Sequence, residues 1–148
     1  MARPRVLALL VVVAHWIVAV WHLFLAANIL PAPNDRVSWL AITLISSGHL
    51  CVCLALWLLG DRLAGWVSLV FFLAALGADL YEHFLHVSAN NIFHVAPGDG
   101  RALFDASVFT LLALEILGCL MGILLLLCRR VDKQPSTAAR QSQRLVIG

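Results

Sequence analysis

The sequence predicts an all-α integral membrane protein: a bundle of four helices with both termini in the cytoplasm. Three observations carry that expectation. Hydrophobic residues make up 62% of the 148 positions and charged ones only 12%, about half of the roughly 25% charge in soluble domains. Mean hydropathy is +0.95, more apolar surface than a water-soluble core of this size could hide. Four apolar runs, 6–30, 37–59, 63–86 and 103–128, each match the ~20 helical residues that cross a ~30 Å hydrocarbon core.

The breaks between the runs are readable in order. Pro31 and Pro33 interrupt the first gap, in "PAPNDR", where proline cannot continue a helix. A tight "GDR" at 60–62 joins the second run to the third. The longest gap, 87–102, contains "APGDGR". Residues 1–130 therefore read as one four-helix domain. The polar tail 131–148 reads as disordered, because it offers little apolar surface to bury.

Orientation follows from the basic residues near the membrane ends. Arg3, Arg5, Arg62, Arg129, Arg130, Lys133, Arg140 and Arg144 lie on one side; Arg36 and Arg101 lie on the other. The richer side is the cytoplasmic one, so the loops at 31–36 and 87–102 face outward. A signal peptide is the rival reading of the start. The first run, however, is longer than the 7–15 residues of a usual signal core, and it carries His15, Trp16, Trp21 and His22. A retained helix fits better. A net charge of +2 is small and the basic residues cluster toward the chain ends, a poor match for nucleic acid. Cys51, Cys53, Cys119 and Cys128 fall in or beside the apolar runs and read as small packing residues.

Chemistry concentrates at the end of the third run, in "GADLYEHFLHVSANNIFHVAPGDG". At about 100° per residue, Asp79, Glu82, His83 and His86 share an arc of about 100° on one helix face. Ionisable residues in a membrane cost about 2.5–3.5 kcal/mol each on insertion scales and face an interior or a cavity. His22 on the first helix and Asp105 on the fourth lie at matching depth. A deeper layer would comprise His15, His49 and Glu115, so that every helix sends a polar group toward one interior.

Imidazole and carboxylate together suit copper or iron, whose charge offsets that of buried acids. Asp79, Glu82, His83, His86 and His94 are the candidate ligands, with His22 and Asp105 orienting them. The string from Asp79 through His83 to His94, with Phe93 before the last histidine and Pro97 after it, resembles the membrane metal motif in the C subunit of particulate copper monooxygenases. That resemblance implies copper at Asp79, His83 and His94.

The leading expectation is thus a transition-metal site near the outward face, serving a membrane oxidoreductase or a metal-handling system in a bacterial inner membrane or another cell membrane. A different class competes with it: a non-catalytic subunit of a larger membrane complex or a homo-oligomer. Haem b between His15 and His49, or proton and ion movement through the same groups, are further alternatives. A histidine-box oxygenase would need more than the six histidines present. The paired Glu-x-x-His motifs of soluble di-iron bundles are absent, as are nucleophile-elbow, phosphate-loop and dinucleotide motifs.

Overall fold

The structure, a computed structural model, describes residues 3–29 and 35–132. Within them lie four α-helices and no strand: α1 (Arg3–Ile29), α2 (Asp35–Leu58), α3 (Asp61–Leu80) and α4 (Arg101–Asp132). A π-helical turn, Tyr81–Leu85, continues α3. The proline-containing gap and most of the polar tail lie outside the described residues.

Three helical segments are long and apolar enough to cross a membrane: Arg3–Ile29, Asp61–Leu85 and Arg101–Leu127. The sequence had suggested a fourth over 37–59. Within the described residues its apolar part is the stretch Ile42–Leu58. The exterior fits an apolar solvent. Leu10, Ile17, Leu50, Trp57, Val70 and Leu120 are at least half exposed, whereas His15, His22, His49, His83 and Glu115 are buried. Water would reverse that distribution.

The helices close a ring: α1 packs on α2 and α4, and α3 packs on α2 and α4. The α3–α4 contact is the most extensive, and glycine explains it. A Cβ on Gly122 would come within 3.1 Å of the Gly65 carbonyl oxygen, and one on Gly65 within 3.0 Å of the Gly122 carbonyl oxygen. Side-chain-free positions let two backbones approach where hydrophobic burial gives no drive between helices. At the terminal end, Arg5 pairs with Asp61 and also donates to the Leu56 carbonyl at 3.2 Å, tying α1 to the α2–α3 turn.

Two apolar clusters divide the interior. One, around Val12, Val52, Leu56, Phe72 and Leu125, fills the terminal half. The other joins Ile92 and Val95 of the loop to Phe104 and Val108 of α4. The loop between them is folded. Arg101 donates to the Val95 and Ile92 carbonyls at 2.8 and 3.1 Å. Asn91 donates to the His86 carbonyl at 2.9 Å. Gly100 adopts φ +93° against Ile29, a conformation that favours glycine.

Candidate functional site

Between the clusters lies a cavity of about 380 Å³. Every helix contributes to its wall: His15 and His22 from α1, His49 from α2, Asp79 from α3, Glu115 from α4. Glu82 and His83 of the π turn complete the polar lining with Asn90 of the loop. Ala19, Ala74, Ala75 and Ala78 make the remaining wall thin, and Phe71 stands among them.

The deeper groups form one hydrogen-bonded chain. His49 Nδ1 donates to the Ile45 carbonyl at 2.6 Å. A carbonyl can only accept, so the proton of a neutral His49 is on Nδ1 and its Nε2 is an acceptor. That Nε2 stands 2.7 Å from His15 Nδ1, which therefore donates. The other nitrogen of His15, Nε2, lies 3.2 Å from Glu115 Oε1. One proton is shared across that last contact. The rings of His15 and His49 stack with centroids 4.9 Å apart, and Phe72 closes the floor edge-on to His15 at 5.4 Å.

A second layer lies toward the loop. His22 Nδ1 is 2.8 Å from Ser107 Oγ, whose hydroxyl donates to the Phe104 carbonyl at 2.6 Å. With that hydroxyl proton committed, His22 Nδ1 donates to the serine oxygen. His83 Nδ1 donates to the Asn90 carbonyl at 2.8 Å, and its own carbonyl accepts from Ile92 N–H at 3.0 Å. The two rings meet edge to face at 4.9 Å. Ser107 escapes a search for ionisable residues. Its signal was positional, since Ser107 and Glu115 are eight residues apart on one face of α4.

Of the ligand candidates, Asp79, Glu82 and His83 line the cavity, while His86 and His94 do not. The reason is the π turn, closed by His86 N–H to the Tyr81 carbonyl at 2.7 Å. Its wider spiral advances less per residue than an α-helix, so His83 falls in line with Asp79 and His86 is carried outside. There His86 stacks on Tyr81 at 5.3 Å and stands 3.4 Å from Glu82. His94 is exposed on the loop. Asp105 pairs with Arg101 at 3.5 Å, away from the lining. His22 meets His83 itself, where the sequence suggested a supporting role. Among the described residues, no three His, Cys, Asp or Glu side chains converge on a point that could hold a metal ion.

No family model, curated protein or solved structure matches this chain. Fold and site together define its class: an all-helical protein with helices long and apolar enough to cross a membrane, around a cavity lined by imidazoles and carboxyls.

Proposed function

We propose that the protein is a four-helix membrane bundle, with both termini in the cytoplasm, that takes up and relays protons at an outward-facing cavity as part of a carrier. One observation carries this reading: the chain from Ile45 through His49 and His15 to Glu115. The shared proton can sit on Glu115 Oε1 or on His15 Nε2, and either placement keeps every hydrogen bond of the chain intact. Transfer between them therefore costs no bond, the condition a relay needs. Carboxyl and imidazole chains serve proton paths in membranes for this reason. The chain stops at a carbonyl, and the apolar cluster around Val12, Leu56 and Phe72 lies beyond it. Protons thus load from one side, and passage to the other requires a change of shape.

Infrared difference spectra of reconstituted protein, between acidic and alkaline buffer, test the relay. A carboxyl band and an imidazole band should change together, and Glu115→Gln should remove both changes. An imidazole change that persists at full size in Glu115→Gln would overturn it. Topology is tested separately. Reporters placed after Gly148 and at Asp61 should read cytoplasmic, and one near Gly98 external; an external reading at Gly148 reverses the side from which the cavity loads.

A transition-metal site is the second reading, favoured by Asp79, Glu82 and His83 lying together on one cavity wall. Copper or iron there would need a further ligand brought in from His86 or His94. Elemental analysis of purified protein decides it, with Asp79→Ala and His83→Ala each expected to remove any bound metal. For haem b the donors at hand are His15 and His49, which bond directly to each other at 2.7 Å. Two axial nitrogens on one iron stand about 4 Å apart, twice a metal–nitrogen bond of roughly 2.0–2.1 Å.

A further inference from the structure

The cavity is far larger than a proton relay requires. At about 380 Å³ it falls within the roughly 300–1,000 Å³ of small-molecule sites, whereas a water occupies about 30 Å³. Its charge is one-sided. Asp79, Glu82 and Glu115 line it, and among the described residues no Lys or Arg does. Glu115 is the sharper sign. Its residue is 1% exposed, it faces the cavity, and its carboxyl lies within hydrogen-bonding reach of the Asp79 carboxyl. Asp79 stands close enough to couple electrostatically with it. Two carboxyls this close repel when both are ionised, so a positive charge placed between them is favoured.

The shape narrows what that is. Ala74, Ala75 and Ala78 put only methyl groups on the α3 wall, and Phe71 presents an aromatic ring. Carboxylates beside an aromatic ring and methyl groups suit a cation that is itself apolar over most of its surface. Aromatic rings attract such ions most strongly when water is excluded. A bare metal ion would use none of the alanine wall.

We infer that the cavity binds a small organic ammonium ion, its charge set against Asp79 and Glu115 and its methyl groups against Phe71 and the α3 alanines. This inference rests on the proton-carrier reading and names its solute: the ammonium ion and the proton compete for the same carboxyls.

Tetramethylammonium is the probe, titrated against the full-length protein in nanodiscs by calorimetry, with neopentyl alcohol as the uncharged counterpart of similar shape. Saturable binding of tetramethylammonium, at least tenfold tighter than of the alcohol, is expected. Asp79→Asn should weaken it tenfold or more, and Ala75→Phe should abolish it by filling the wall. If Ala75→Phe does not fold, the nearly isosteric Asp79→Asn decides alone. Equal affinity for ion and alcohol, full affinity in Asp79→Asn, or binding of copper or zinc with none of tetramethylammonium would each overturn the inference. The infrared coupling between Glu115 and imidazole needs no solute. Its survival alongside failed ammonium binding would discard the solute and leave the relay standing.

Discussion

His15→Leu is expected to be the most destabilising single substitution in the cavity, costing about 2–4 kcal/mol in graded detergent unfolding followed by helix content. The imidazole bonds to His49 on one side and to Glu115 on the other, so it joins three helices. Interhelical hydrogen bonds in membranes contribute about 1–2 kcal/mol each, and leucine forfeits two of them. It also leaves two buried polar groups without that partner: His49 is 4% exposed and Glu115 1%. The double variant His15→Leu with Glu115→Leu should recover part of the loss, because the second change removes one stranded group. Strict additivity of the two changes would mean that the contact carries no coupling. A loss below about 0.5 kcal/mol in His15→Leu would mean that the chain does not hold α1, α2 and α4 together.

Gly122→Val should be comparably damaging for a different reason. Its Cβ alone would meet Leu69 N and Cβ at 3.0 Å and the Gly65 carbonyl oxygen at 3.1 Å. Two of those neighbours are backbone atoms and cannot rotate away, so α3 and α4 must separate. Overpacking of this kind costs about 1–3 kcal/mol. Because α3 and α4 carry Asp79 and Glu115, the cavity should widen and tetramethylammonium affinity should fall with stability. Gly77→Ala is the control. No atom lies within 4 Å of its added methyl, and alanine in a helix interior gains up to about 1 kcal/mol over glycine. Equal stability of the two variants would refute close backbone packing as the basis of the α3–α4 contact.

Much of this architecture was legible in the residues. Apolar runs long enough to span a bilayer mark α1, α3 and α4 because hydropathy integrates over many positions and forgives local error. The polar groups His15, His49 and Glu115 were separable from those nearer the loop because depth follows from counting residues along a straight helix. What escaped was pairwise. Nothing in the spacing of His15 and His49 says that they bond to each other, since helix rotation and helix–helix distance are set by Gly65, Gly122 and their neighbours. The ligand reading of His86 assumed a uniform α-helical pitch, and the pitch changes at Tyr81. His94 sits on a loop whose path is fixed by Arg101 and Asn91 to backbone carbonyls, bonds that leave no periodic trace.

That change of pitch works as a phase shift. Before Tyr81 the helix keeps one angular register, and after it another, without a break in the backbone. Asp79 and His83 are therefore brought closer to a single line than the roughly 40° that separates them in a uniform helix. A uniform helix would also have left His86 on that face, whereas here it lies outside the cavity lining. The five residues Tyr81–Leu85 thus let a single helix set Asp79, Glu82 and His83 along one wall of the chamber.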